Sequence, residues 1–387
     1  MTTDVVSATL HPGLARPPLR ARLKLEHVVM GGAVVALIVL VVLPLLSLLL
    51  GSVKGEEGLS LDHFSEVLSG RLYLTALKNS LILGAWTSLF SLVLGLVLAW
   101  AVSRTDVPGK PLIQLTATLS YLSPPFLTAI ALTYLFSPNA GLINVLMRDT
   151  AGLPWLTFNI FSMPGLVLVT VMHTFPFVYL LASSALLSVD ASYEEAAQIL
   201  GASKLRTALS ITAPLVAPAI LSGTLLAFVN ALALFGSQAI IGLPARIFTL
   251  PTRIYALFDY PPEYGLASAL SLVLVLITVV ALYLQRAFLA RRSYVTLAGK
   301  GARPQLMQLG PWRWAVLGFA VLVFIVAIVL PYATLIAVSL SKSWGLDFWK
   351  GLTLKKYNFI LFEYNVTQRK APSCINCGRE PLPASVT

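Results

Sequence analysis

Seven stretches of this chain are apolar over roughly the thickness of a lipid bilayer: Val28–Leu50, Ser80–Val102, Leu112–Phe136, Gly165–Leu187, Leu215–Phe235, Gly265–Leu284 and Trp314–Leu340. A helix needs about 20 such residues to cross a hydrocarbon core of about 30 Å. Inside that core every backbone amide must find its partner within the protein, so only helices and closed barrels can span it. Barrel strands alternate in character and are about 9–11 residues long. These runs are continuously apolar and much longer, which excludes a barrel. Charged residues make up 11% of the chain, against about 25% in soluble domains. The expectation is an all-α polytopic membrane protein with about seven transmembrane helices. The first run exceeds the 7–15 apolar residues of a signal peptide and has no clear small-residue cleavage site after Pro44, so it reads as a retained helix.

Basic residues sort the loops. Arg16, Arg20, Arg22 and Lys24 precede the first run, and Arg104 and Lys110 join the second to the third. Lys204 and Arg206 follow the fourth, and Arg286, Arg291, Arg292, Lys300, Arg303 and Arg313 follow the sixth. Between the first and sixth runs the alternate loops hold only Lys54, Arg71, Lys78, Arg148, Arg246 and Arg253. Because Lys and Arg concentrate in cytoplasmic loops, the N-terminus and the loop after the fourth run are expected in the cytoplasm. The same rule accounts for the net charge of +11. No basic patch is interleaved with aromatic residues as a nucleic-acid surface would need.

The loop after the fourth run is patterned rather than merely polar: SYEEAAQILGASKLRTALSITAPLVAPAI, Ser192 to Ile220. Ser192 can cap a helix, with Glu195 three residues on completing a capping box. Ala196, Ala197, Ile199 and Leu200 continue a helical stretch with one apolar face. Gly201 is expected to end it at a position of positive φ. A second helix then runs from Ser203 until Pro214, whose ring disfavours continuation. Such a helix–bend–helix can dock in a groove of a partner protein or lie on lipid headgroups. Glu194 and Glu195 are no catalytic pair. Neighbours on a helix point about 100° apart, and solvation and docking account for them better.

Glu195, Ala196, Ala197, Gly201, Ile211 and Pro214 resemble the EAA signature of permease subunits of binding-protein-dependent ABC importers. That pattern reads EAA, three residues, Gly, nine residues, then Ile-x-Leu-Pro, and Ala213 stands here in place of the Leu. The resemblance runs from about Leu23 to Thr367 and is greatest to ferric-iron permeases, in which one chain carries two halves; thiamine and phosphonate permeases share that layout. It implies a type I importer permease (MetI-like) fold in a bacterial inner membrane, N-terminus cytoplasmic. It also implies that the loop, Glu194 included, enters a cleft of a cytoplasmic ATPase subunit, that closure of two such ATPases moves it, and that a periplasmic binding protein delivers the solute. The chain has no GxxxxGK[ST] phosphate loop, so ATP hydrolysis is assigned to another polypeptide. No enzyme activity and no cofactor or metal is expected of this chain itself.

The chain also repeats. LPLLSLLLGS at Leu43–Ser52 returns as LPYATLIAVS at Leu330–Ser339, and GLSLDHFSEVLS at Gly58–Ser69 as GLTLKKYNFILF at Gly351–Phe362. Collinear repeats in a membrane protein point to two related halves around a shared pathway. The expected organisation is an N-terminal segment (1–27), a first half with six helices (28–285), a basic linker (286–313), the start of a second half (314–369) and an aberrant tail (370–387). The tail, with Cys374, Cys377 and three prolines, replaces the expected next helix, as a truncated second half would. Its CxxC has neither a second pair nor nearby histidines to complete a zinc site.

Two further features bear on a pathway. His173 lies within the fourth run, where an ionisable residue is a functional candidate by default; the competing reading is a neutral histidine hydrogen-bonded within the bundle. Pro124, Pro125 and Pro176 are expected to kink their helices. A secondary transporter would carry more charge at membrane depth, and a membrane enzyme would cluster catalytic side chains at one bilayer face.

Overall fold

A computed structural model describes residues 19–55, 58–290 and 306–363. The tail at 370–387 with both cysteines, residues 1–18 and the central part of the basic linker lie outside the described residues.

The described residues open with α1 (Leu19–Leu37) and α2 (Leu43–Val53), followed by antiparallel pairing of Lys54–Gly55 with Gly58–Leu59 and by α3 (Asp62–Ser69). Next come α4 (Arg71–Arg104), α5 (Lys110–Leu122), α6 (Pro125–Phe136), α7 (Leu142–Val145) and α8 (Met163–Ser188). The patterned loop forms α9 (Ala191–Ile199) and α10 (Lys204–Thr207). After it stand α11 (Ala213–Ala233), α12 (Gly236–Gly242), α13 (Leu250–Ala256) and α14 (Tyr264–Ala290). Last are α15 (Trp312–Phe324), α16 (Leu330–Leu340) and α17 (Lys355–Asn358).

Six spans among the described residues are long and apolar enough to cross a membrane: Val28–Val53, Arg71–Arg104, Met163–Ser188, Ala208–Ala233, Tyr264–Ala287 and Trp312–Leu340. The third apolar run differs from expectation. It is two helices, α5 and α6, meeting at 100°. Ser123 and Pro124 are both extended there, with ψ of 125° and 126°. A residue before proline is pushed out of the helical region, and consecutive prolines impose this twice, so the chain turns a corner where one proline would only kink it. At Pro176, by contrast, α8 continues unbroken.

Three other prolines are absorbed by one device. A π-helical turn precedes the dipeptides Leu43-Pro44, Ala213-Pro214 and Leu330-Pro331. In each, the amide before the proline donates five residues back: Leu43 to Ile38, Ala213 to Ala208, Leu330 to Ile325. The wider turn makes room for a ring that would otherwise meet the carbonyl four residues earlier. The helix after Ser203 therefore does not stop at Pro214, as the sequence suggested, but passes into α11.

The core is the packing of α4, α8 and α11. α4 and α8 run in the same direction, with Ser91 and Thr174 hydroxyls 2.8 Å apart and the Ser103 hydroxyl donating to the Ser183 carbonyl at 3.5 Å. α11 packs against both. Where α8 passes Phe175–Tyr179, a Cβ on Gly95 would lie 2.8 Å from the Phe175 carbonyl oxygen, and one on Gly223 2.7 Å from the Val178 Cα. Small residues at these crossings let the backbones meet, as membrane helix packing requires.

The repeat is visible in hydrogen bonds. The Ser60 amide donates to the Val53 carbonyl at 2.8 Å, and in the second copy Thr353 donates to Leu340 at 2.7 Å. The Ser60 hydroxyl then accepts from the Asp62 amide at 3.0 Å, as the Thr353 hydroxyl does from Lys355 at 3.2 Å. The second copy packs against the α5–α6 corner: the Tyr332 hydroxyl donates to Ser123 Oγ at 2.9 Å, and Trp344 Nε1 to the Tyr134 carbonyl at 2.9 Å.

Candidate functional site: the loop between α8 and α11

The loop is built as a capped helix, a left-handed bend and a second helix. Its cap is not Ser192. α9 begins at Ala191, and the Asp190 carboxylate accepts the Ser192 amide at 2.9 Å. Aspartate caps as well as serine, and its charge also favours the helix N-terminus. That amide, together with the Ser192 hydroxyl, holds the Asp190 carboxyl below the ordinary carboxylate range.

Gly201 has φ of 83°. The Ala202 amide donates to the Ala197 carbonyl at 2.9 Å, the bond that closes a Schellman-type helix end. Ile199 and Leu200, at 85% and 87% exposure, stand out at this bend. Glu195, Ala196 and Gly201 are exposed, Ala197 is buried, and Ile211 and Pro214 are half-buried.

Glu194 corrects the expectation of a solvated docking residue. It is buried, and its carboxylate takes the Arg104 guanidinium at 3.3 Å on Oε2 and the Thr212 hydroxyl at 2.7 Å on Oε1. The helical angle between neighbours accounts for the division: Glu194 faces inward and Glu195 outward. Arg104 is the last residue of α4, 2% exposed, and its Nε and Nη2 make no hydrogen bond. Sequence reading missed Arg104 and Thr212 as site residues. A basic residue at the end of an apolar run was a weak signal, but its partner lies 90 residues away.

His173 is separate from this loop. It is half-buried on α8 and interacts with the main chain of Ser120 and Ser123 at the α5–α6 corner, while its Nδ1 is buried without a hydrogen bond. Ser120 Oγ is likewise buried and unpartnered. The corner therefore gathers Ser120, Ser123, His173 and Tyr332 where α5, α6, α8 and α16 come together.

Membrane-length helices around a tightly packed three-helix core, with one structured loop at one end of it, define a polytopic helical membrane protein. Residues 91–294 match the family described as binding-protein-dependent transport system inner membrane component, and the chain belongs to that family. It is similar to the ferric transport system permease protein FbpB of Actinobacillus pleuropneumoniae, 25% identical over 363 residues, covering 89% of this chain and 50% of that protein. It is also similar to the molybdenum transport system permease protein ModB of Escherichia coli (strain K12), 32% identical over 220 residues, covering 56% of this chain and 93% of that protein. The chain thus spans about half the length of the ferric relative. Its fold is similar to that of a bacterial ABC transporter involved in the import of the acidic polysaccharide alginate, with a TM-score of 0.57 at 19% identity, covering 70% of this chain and 97% of that one.

Proposed function

We propose that the chain is the membrane component of an ATP-driven solute importer, that the loop 190–212 docks on a separate cytoplasmic ATPase, and that a periplasmic binding protein delivers the solute. The observation that carries this reading is the bend at Gly201. A loop held from below by buried contacts presents Ile199 and Leu200 outward, beside Glu195 and Arg206. Exposed apolar side chains on a polar, structured loop suit burial in a partner's groove. His173 and the α5–α6 corner are assigned to the solute path, and residues 28–285 and 314–369 to two related halves. Ferric iron is the preferred solute, because the ferric relative aligns over most of this chain. A molybdenum permease at higher identity over a shorter stretch supports an oxyanion as the second reading.

The test is a Leu200→Glu variant purified with its native ATPase. The expected result is loss of the co-purifying ATPase with unchanged membrane insertion. Retention of the ATPase would remove the docking assignment.

A further inference from the structure

Arg104, Thr105 and Asp106 join segments far apart in sequence. Through its side chain, Arg104 holds Glu194 of α9, and Glu194 holds Thr212 at the foot of α11. Through its main chain, the same short segment pairs with the stretch leading into α15. The Met307 amide donates to the Arg104 carbonyl at 2.8 Å, and the Asp106 amide donates to the Met307 carbonyl at 3.2 Å. The Leu309 amide donates to Asp106 Oδ1 at 2.9 Å. Beyond it, Ala320 and Val323 of α15 pack in one core cluster with Leu98, Ala99 and Val102 of α4.

We propose that Arg104 is a positioning residue for coupling: by gripping Glu194 it transmits displacement of α9 to α4 and α11, and through residues 104–106 and 307–309 to α15. The proposal rests on the docking reading for the loop, but names where its motion goes. Chain connectivity is one attachment of α9, to α8 before it and across the bend at Gly201 to α10 after it. The buried ion pair adds a second, lateral attachment. One guanidinium nitrogen carries it, while two others of the same buried group are unpartnered. Neither charge can shift independently without leaving the other buried and unpaired, so Glu194 and Arg104 must move together. The pairing of 104–106 with 307–309 then carries the movement into the second copy of the repeat.

The experiment uses the permease with its native ATPase and binding protein, comparing Arg104→Gln, Glu194→Gln, the double variant and Thr212→Val. Thr212→Val removes one hydroxyl at constant volume and leaves both charges paired, so it decides the question if the charge variants fail to insert. Solute taken up per ATP hydrolysed is measured, together with a cysteine cross-link from position 203 to the ATPase. The expected result is an intact cross-link with about tenfold lower uptake per ATP in either single charge variant, no further loss in the double variant, and a several-fold loss in Thr212→Val. Unchanged uptake per ATP in the variants that insert, or losses that multiply in the double variant, would overturn the proposal. Absence of the cross-link in the unmodified protein would instead count against docking. In that case hydrogen exchange of the α9 amides reads the grip directly, with faster exchange expected in Thr212→Val and unchanged exchange overturning it.

Discussion

Gly223 and Asp190 show two different ways in which single residues set this structure. At Gly223 the requirement is space: a methyl group would press on the Val178 backbone, which cannot move without displacing α8 from α4. Overpacking of this kind costs about 1–3 kcal/mol. Gly223→Ala is therefore expected to lower the melting temperature of the detergent-solubilised protein, and an unchanged melting temperature would mean that the helices part without cost. At Asp190 the requirement is charge. Its folded carboxyl titrates below the ordinary value because the Ser192 amide stabilises the ionised form. A depressed folded pKa contributes stability above the unfolded value of about 3.9, and that contribution disappears as pH falls through the folded value. The α9 amides, corrected for intrinsic exchange, are expected to lose protection below about pH 4. Asp190→Asn, which caps without titrating, should remove the part of that dependence due to the cap. An identical pH profile in the variant would assign the loss to other groups.

The π turns show how an element can carry a functional position. Thr212 ends the π turn before Pro214, and that extra residue sets the phase of the loop relative to α11. Removing one residue from a turn rotates what precedes it by about 100°. With Pro214→Ala the ring no longer forces the wide turn, and relaxation to a regular helix would swing Thr212 away from Glu194. The expected outcome is faster exchange of the α9 amides with all spans still inserted; unchanged exchange would show that packing alone maintains the π turn. Elements of this kind mark the limit of what the sequence discloses. The membrane runs were legible because a continuously apolar stretch of bilayer length suits little besides a spanning helix. The bend at Gly201 was legible because a glycine ending a helix-prone stretch favours positive φ. The 100° corner was visible only as a proline pair, since its angle depends on how α6 packs. The cap at Asp190 was displaced by two residues because several neighbouring side chains could cap equally well. Glu194 was misjudged because its burial is set by Arg104, a partner that local pattern cannot reveal.

At the scale of the whole molecule, the two copies of the repeat make a joint statement about sidedness. α4 and α8 run in the same direction, so the Arg104–Glu194 junction marks one end of the bundle, and the beginnings of α4 and α8 mark the other. The segment after α2 leads through α3 to the start of α4, and the segment after α16 reaches the α6 end through Trp344 and Tyr134, beside the residues that lead into α8. Both copies thus emerge at the same end, opposite the loop 190–212. If basic loops are cytoplasmic, Leu59 and Leu352, which occupy matching places in the repeat and are 84% and 57% exposed, face the periplasm together. The test replaces Cys374 and Cys377 by serine and then introduces Leu59→Cys, Leu352→Cys or Ser203→Cys singly. A membrane-impermeant thiol reagent is expected to label positions 59 and 352 in intact cells, and position 203 only after permeabilisation. Labelling of 203 in intact cells would reverse the orientation and remove the ATPase from reach of the loop. Opposite accessibility of 59 and 352 would instead break the parallel relation between the copies, which rests on Trp344 meeting Tyr134 at the end of α6 while α3 leads to the start of α4.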